Sequence, residues 1–272
     1  MAVRAGRFGL IETTRLTRSF GPKVAVRNLD MSVQPGEIVG FLGPNGAGKT
    51  TTVKVLTCMI KPTSGSARVA GFDVGRDPME VKKRVGYVPE AGALYETLTA
   101  EEYLGMVANL HGISAGRADT QIREFLGLFE ILAARNQRLV EYSKGMRQKV
   151  LISAALIANP EVLFLDEPLN GLDANAALVV KELLRELASQ GRTILFCSHI
   201  LEVVERICTR IIVINEGRMI TEGRPEEIAA ATGTASLEAA FAKLTGVPDA
   251  TEVTRGLLSA LGSPSRGSTR RP

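Results

Sequence analysis

Apolar and polar residues alternate with a period of two near the start of the chain and recur at helical spacing in its middle. In residues 29–34, Leu, Met and Val alternate with Asp, Ser and Gln, which is typical of a strand with one buried face. Residues 38–42, 162–165 and 193–197 are almost entirely apolar, and such short runs predict strands buried on both faces of a parallel sheet. The pattern therefore predicts an α/β core preceded by an antiparallel β region over about 10–33.

Helical spacing dominates residues 98–160. Thr99 and Glu102 have the spacing of a capping box ahead of an apolar stretch, which predicts the start of a helix. Two further helices are expected, and the buried strand pattern resumes at residue 162. We therefore predict a helical insertion between two strands of the core, and a later helix that begins at Asp173.

A glycine-rich stretch follows the first buried run and precedes a helical pattern. It consists of Gly43, Pro44, Asn45, Gly46, Ala47, Gly48, Lys49, Thr50 and Thr51. This is the spacing G-x-x-x-x-G-K-[ST] of a P-loop, whose backbone N–H groups surround phosphate oxygens. Lys49 can neutralise the β- and γ-phosphates and Thr50 can ligate Mg²⁺. A glycine-rich turn that binds nothing is the alternative, but lysine and threonine in register favour a nucleoside triphosphate site.

Two acidic residues end the second buried run. Asp166 and Glu167 follow four apolar residues, so they lie at the carboxyl end of a predicted parallel strand, where such sheets bind ligands. Asp166 can hold Mg²⁺ opposite Thr50, and Glu167 can orient and deprotonate an attacking water. Acidic pairs at strand ends also cap helices, but a P-loop in the same chain favours the catalytic interpretation.

Composition limits the function classes. The 272 residues are 45% hydrophobic with a net charge of +4, which does not indicate a nucleic-acid binder. The longest apolar stretch, 150–158, is far shorter than the roughly 20 residues that span a bilayer. The three cysteines lack metal-ligand spacing and are expected to be buried reduced thiols. We expect a cytoplasmic protein that reaches a membrane only through a partner, and no nucleic-acid partner.

The ordered motifs resemble those of the ATP-binding subunit of an ATP-binding-cassette (ABC) transporter over roughly residues 9–230. Residues 43–51 match the family's Walker A motif, 162–167 its Walker B motif and 169–173 its D-loop, which includes Asp173. His199 is at the position of the switch histidine. Phe20 is at the position of the aromatic residue that stacks on adenine.

The signature motif and the Q-loop depart from the family pattern. Residues 142–148, Tyr-Ser-Lys-Gly-Met-Arg-Gln, occupy the place of the motif usually written LSGGQ; Ser143 and Gly145 are kept, and Met146 replaces glutamine. Glu90 stands where most members have the Q-loop glutamine, and we expect it to ligate the metal with altered affinity. These departures resemble the branch of exporters for drugs, antibiotics and polysaccharides.

The resemblance implies an ATPase that uses ATP and Mg²⁺ and drives a separate membrane permease. Glu167 and His199 would be the catalytic residues, and Ser143, Gly145 and Met146 would contact the ATP of a partner subunit in a head-to-tail homodimer. The permease would dock near Glu90 and the helical insertion, on the cytoplasmic face of the membrane.

Two other functions fit parts of the sequence. A soluble ABC-type ATPase without a permease, acting as a resistance or regulatory factor, is the main alternative. A small-molecule kinase would leave the signature and the histidine without a role.

The resemblance also implies a division of the chain. Residues 1–8 would be a flexible arm and 9–232 an ABC ATP-binding domain with a P-loop (RecA-like) core, the helical subdomain taking up about 91–160. Residues 233–272 would be a C-terminal extension with a disordered tail, to which the sequence assigns no task.

Overall fold

The computed structural model describes residues 9–90, 94–246, 254–256 and 258–259. The arm predicted at residues 1–8 and the disordered tail predicted at the end of the C-terminal extension lie outside the described residues. The strands are β1 (Ile11–Phe20), β2 (Lys23–Val33), β3 (Ile38–Leu42), β4 (Ser64–Val69), β5 (Phe72–Asp73), β6 (Val85–Val88), β7 (Val162–Asp166), β8 (Thr193–Cys197), β9 (Arg210–Asn215) and β10 (Arg218–Gly223). The α-helices are α1 (Lys49–Leu56), α2 (Pro78–Lys82), α3 (Ala100–Leu110), α4 (Ala115–Leu128), α5 (Lys144–Leu156), α6 (Ala174–Ser189), α7 (Leu201–Ile207), α8 (Pro225–Thr232) and α9 (Leu237–Thr245).

The strands form two sheets, one mainly parallel and one antiparallel. The larger sheet has the order β10-β9-β3-β8-β7-β6; its pairs are parallel except the hairpin β9–β10. The smaller sheet has the order β2-β1-β4-β5. The fold class predicted from the sequence is confirmed. Because β3 lies between β8 and β9, the loop that follows β3 is placed at the centre of the sheet's carboxyl edge.

The central strands bury both faces, as their apolar runs predict. In β3, Ile38 and Leu42 face one hydrophobic cluster, which includes residues of α3 to α9. Val39 and Phe41 face the other, which includes α1 and the antiparallel sheet. The parallel sheet is therefore packed between two apolar layers, and this makes its carboxyl edge a rigid support for a site.

The helical insertion lies where the pattern predicts it. Helices α3, α4 and α5 occupy the chain between β6 and β7, which are paired neighbours. The capping box is present: Thr99 accepts from the Glu102 N–H, and the Glu102 carboxylate accepts from the Thr99 N–H. At the start of α6, Asp173 accepts from the Ala176 N–H at 2.8 Å.

Three local features differ from the predictions. The sequence predicts a short strand at 67–70, but β4 begins earlier, at Ser64, because pairing with β1 extends it. The two-residue strand β5 was not predicted. Cys58 is only half-buried, in contrast to Cys197 and Cys208, since it follows the end of α1 with φ of +57°.

Among the described residues, no helix is long and apolar enough to cross a membrane.

Candidate nucleotide-binding site

The loop between β3 and α1 requires glycine for close approach. A Cβ on Gly43 would lie 2.4 Å from the Ile214 carbonyl oxygen. Gly48 has φ of +106°, and a Cβ there would lie 2.4 Å from the Ala25 carbonyl oxygen. The chain can therefore turn tightly from a buried strand into a helix, so that the N-terminus of α1 faces the loop, as an anion site needs.

The lysine of the loop is folded back over it. The Lys49 ammonium donates to the carbonyl oxygens of Gly43, at 2.5 Å, and Pro44, at 3.1 Å. Its charge thus lies over the concave side of the loop. A cation there is well placed to neutralise phosphate oxygens.

Asp166 and Thr50 come together from positions 116 apart in sequence. The Thr50 hydroxyl lies 3.1 Å from Asp166 Oδ2, and Asp166 is 2% exposed. Burial raises the pKa of Asp166; the Thr50 hydrogen bond opposes this, and the charges of Glu90 and Glu167 add to it. A buried carboxylate and a hydroxyl, both at the carboxyl edge of the sheet, form a pair of oxygen ligands suited to a divalent cation.

The Glu167 carboxylate is held by the residues that follow β8. Its Oε1 accepts from the His199 N–H at 2.8 Å and lies 2.8 Å from His199 Nδ1, and its Oε2 accepts from the Ser198 hydroxyl at 3.2 Å. Glu167 has φ of +51°, an unusual conformation for a non-glycine residue. This carboxylate is fixed in one orientation at the end of β7, whereas the His199 side chain is 70% exposed.

These groups line one cavity of about 720 Å³, within the usual range for small-molecule sites. The predicted site residues that line it are Phe20, Gly43, Pro44, Asn45, Gly46, Gly48, Lys49, Thr50, Thr51, Glu90, Asp166, Glu167 and His199. Ala47 belongs to the same loop but is buried beneath it. Phe20 is 47% exposed, with the Arg18 guanidinium 4.4 Å from the centroid of its ring.

The signature residues lie away from this cavity. Ser143, Gly145, Met146 and Asp173 are not among the described residues that line it. Ser143 caps α5 by accepting from the Met146 N–H at 3.2 Å. The start of α5 packs closely on the segment after β7, because a Cβ on Gly145 would lie 2.5 Å from the Gly171 carbonyl oxygen.

Side chains of α5 connect the signature segment to the Walker B strand. The buried Gln148 side chain donates to the Pro168 carbonyl oxygen at 2.9 Å, and the Lys149 ammonium lies 3.2 Å from the Asp173 carboxylate. These contacts join the first turns of α5 to the residues that follow β7.

Some lining residues were not found from the sequence. They are Lys23, Ala25, Leu42, Ser198, Leu201 and Phe241. Ser198 is adjacent to the predicted His199 and follows a buried strand, so its position in the sequence could have identified it as a site residue. Phe241 is more than 190 residues from the loop and carries no motif; only the packing of α9 brings it to the cavity.

The parallel sheet, the P-loop and the Asp166–Glu167 pair define a P-loop nucleotide-hydrolysing protein. Comparison with known families agrees: the ABC transporter family model matches residues 26–170. The chain belongs to the ABC transporter family, and it is an ATP-binding subunit with ATPase activity.

Individual relatives support this assignment. The chain is 37% identical over 225 residues to the ABC transporter ATP-binding protein NatA of Bacillus subtilis (strain 168), covering 80% of this chain and 91% of the relative. It is 38% identical over 223 residues to the daunorubicin/doxorubicin resistance ATP-binding protein DrrA of Streptomyces peucetius, covering 82% and 68%. A solved ATP-binding subunit of an ABC transporter superposes with a TM-score of 0.82 at 31% identity, covering 87% of this chain and 99% of that one.

Proposed function

We propose that this chain uses ATP to drive a separate membrane permease that exports a drug-like or antibiotic-like compound. The observation that carries the proposal is the split of the predicted groups: one cavity holds the P-loop, Asp166 and Glu167, while Ser143 and Gly145 lie on another surface. A site divided in this way needs a second subunit to complete it.

Mg²⁺ would be held between Thr50 and Asp166. The described residues contain no group of three or more His, Cys, Asp or Glu that could hold a metal. Mg²⁺ is usually bound by one or two carboxylates and by phosphate oxygens of the substrate. Glu90 lines the same cavity and its charge acts on Asp166, so it would be a further oxygen ligand. The ion would neutralise charge that develops on the phosphates.

Hydrolysis would depend on Glu167 and His199. Glu167 would accept a proton from the water that attacks the γ-phosphorus, and the bond from that phosphorus to the β–γ bridging oxygen would break. The fixed orientation of its carboxylate suits a general base. His199 would contact the γ-phosphate. Phe20, which is partly exposed and lines the cavity, would stack on the adenine ring.

The second subunit would supply its own Ser143, Gly145 and Met146 to the γ-phosphate. Both Ser143 and Gly145 are at the N-terminus of α5, where backbone N–H groups favour an anion. Asp173 would lie at the same interface. A solved ATP-binding cassette bound to ADP and Pi, 25% identical to this chain with a TM-score of 0.72, is a dimer. ATP would hold the homodimer together, and hydrolysis would let it open.

The permease would dock on a groove between the end of β6 and the helical insertion. This groove of about 420 Å³ includes Met59, Tyr87, Pro89, Tyr103 and Leu151, and it adjoins Glu90. Met59 is 58% exposed, so the groove offers apolar area to an amphipathic segment of a partner. Docking there would hold the chain at the cytoplasmic face of the membrane.

The export direction rests on the named relatives. Besides the resistance protein DrrA, Nod factor export ATP-binding protein I of Paraburkholderia xenovorans (strain LB400) is 38% identical over 220 residues. These names favour a permease-linked exporter over a soluble ATPase acting alone. We also propose the division into residues 9–232, with a helical subdomain at about 91–160, and a C-terminal extension from residue 233.

Affinity purification from detergent-solubilised membranes tests the proposal. The tagged full chain should retain an integral membrane protein. Met59→Asp should release it, whereas Leu178→Asp should not, because Leu178 is similarly exposed, at 63%, on α6 away from the groove. Recovery of the chain without any integral partner would favour the soluble alternative. Equal loss with both variants would place docking elsewhere.

A further inference from the structure

The C-terminal extension contributes a side chain to the ATP cavity. Phe241, in the middle of α9, lines it together with Leu201 and His199. The P-loop, the Walker motifs and the switch histidine do not account for this residue. It is half-buried, so part of its ring packs against the protein and part faces the cavity.

Helix α9 is fixed at both ends to elements that carry the site. Leu237 and Ala240 are buried in the hydrophobic cluster below the parallel sheet. The Leu237 N–H donates to the Glu205 carboxylate of α7 at 3.3 Å, and the Asn215 amide, at the end of β9, donates to the Thr245 carbonyl oxygen at 3.4 Å. Phe241 therefore lies between α7 and the strand that neighbours β3.

Leu201 lines the same cavity as Phe241 and belongs to the segment that follows His199. It begins α7, two residues after His199, and both Leu201 and Phe241 are partly buried against the same cluster. Helices α7 and α9 pack on each other. The His199 ring is 70% exposed, and its Nδ1 lies 2.8 Å from Glu167 Oε1, so the position of the ring depends on Glu167 and on the backbone that carries His199.

We propose that Phe241 is a positioning residue for ATP hydrolysis: with Leu201 it forms an apolar wall that holds His199 at the γ-phosphate end of the cavity. The C-terminal extension is then part of the ATPase site. This inference rests on the proposed role of His199. Since small misplacement of a catalytic group lowers the rate strongly, removal of the Phe241 ring should reduce kcat by about tenfold while the affinity for ATP changes by less than about twofold.

The test compares Phe241→Ala with two variants of the full chain. Phe241→Leu keeps apolar bulk and should restore most of the turnover. Leu244→Ala is the matched control, since Leu244 is partly buried on α9 but is not among the described residues that line the cavity. Phosphate release gives kcat, and binding of a fluorescent ATP analogue in the Glu167→Gln background gives affinity. Equal losses of kcat in Phe241→Ala and Leu244→Ala would overturn the inference.

A double-mutant cycle with His199→Ala decides whether Phe241 acts through the histidine. The expected result is non-additive: Phe241→Ala should lower kcat about tenfold in the wild-type chain and hardly at all once His199 is alanine. The same tenfold factor in both backgrounds would refute the positioning role. A large loss of affinity with unchanged kcat would also refute it and indicate direct contact with nucleotide.

Two further variants make the outcome unambiguous. If Phe241→Ala does not fold, Leu201→Ala removes the other half of the wall and is judged by the same criteria. Lys49→Ala tests the ATP site separately and should abolish binding of the ATP analogue. If Lys49→Ala loses binding and Phe241→Ala behaves like wild type, only the inference about α9 fails. If Lys49→Ala binds normally, the proposed function itself fails.

Discussion

Replacement of Glu167 by glutamine separates catalysis from folding, because the structure lets the amide keep the carboxylate's contacts. The remaining side-chain oxygen can accept the hydrogen bond from the His199 N–H at 2.8 Å and keep its place 2.8 Å from His199 Nδ1. The new NH₂ group can donate to the Ser198 hydroxyl, now 3.2 Å away, since a hydroxyl can exchange donor and acceptor roles. The number of hydrogen bonds is unchanged.

The stability and the rate should respond very differently. Loss of charge assistance weakens the retained hydrogen bonds by about 1 kcal/mol. This loss is offset because residue 167, which is 7% exposed, no longer carries a charge into the protein interior. We therefore expect the free energy of unfolding to change by no more than about 1 kcal/mol. An amide cannot accept the proton of the attacking water, so turnover should fall by about 10²- to 10⁴-fold, or about 3–5 kcal/mol in activation free energy.

Three measurements check this prediction. Phosphate release reports turnover, thermal unfolding reports stability, and light scattering with size exclusion reports the mass with and without Mg-ATP. The Glu167→Gln variant should bind ATP and accumulate as a dimer. Glu202→Gln, which removes an exposed carboxylate of α7, should retain activity. Turnover within a few-fold of wild type would show that Glu167 is not the base, and a variant that stays monomeric with bound ATP would contradict the shared site.

Three more predictions concern the adenine ring, the metal ion and the subunit interface. Phe20→Ala should weaken ATP binding by about 1–3 kcal/mol in calorimetry but leave tripolyphosphate, which has no base, unaffected; equal losses would argue against stacking. Asp166→Asn should raise the melting temperature in EDTA while Mg-ATP turnover is lost. Burial raises the pKa of Asp166, so the ionised carboxylate destabilises the folded state. The gain in melting temperature should therefore be largest near neutral pH and vanish near about pH 4. An equal gain at both pH values would refute this reasoning. Gly145→Ala places a Cβ 2.5 Å from the Gly171 carbonyl oxygen and should abolish the ATP-dependent dimer of Glu167→Gln, whereas Gly105→Ala, in open space, should not.

Most of the fold could be predicted because its signals are local. The all-apolar runs became β3, β7 and β8, and the capping box at Thr99 starts α3 as expected. Two short apolar runs on either side of Asn215, Glu216 and Gly217 also predict the hairpin β9–β10. The strand β5 was missed because two residues carry no periodicity; their pairing with β4 depends on contact within the smaller sheet.

The candidate site also combines features that local sequence signals predict with features that only the packing of the folded chain creates. Glycine, lysine and threonine follow a buried strand in adjacent positions, so the phosphate-binding loop can be predicted without the tertiary structure. Phe241 carries no such code. Its position at the cavity depends on the way α9 packs against α7, and helix packing is decided by surfaces distant in sequence.

The sequence by itself determined the class of this protein: residue types at fixed spacing predict a phosphate-binding loop, a carboxylate that would hold a metal ion and an adjacent carboxylate that would act as base. Only the tertiary structure decided how these meet. It brings Thr50 within 3.1 Å of Asp166 and fixes Glu167 through Ser198 and His199, and it places Ser143 and Gly145 outside the cavity. The physical reason is that hydrogen bonds and packing act over a few ångströms in space, whatever the separation along the chain.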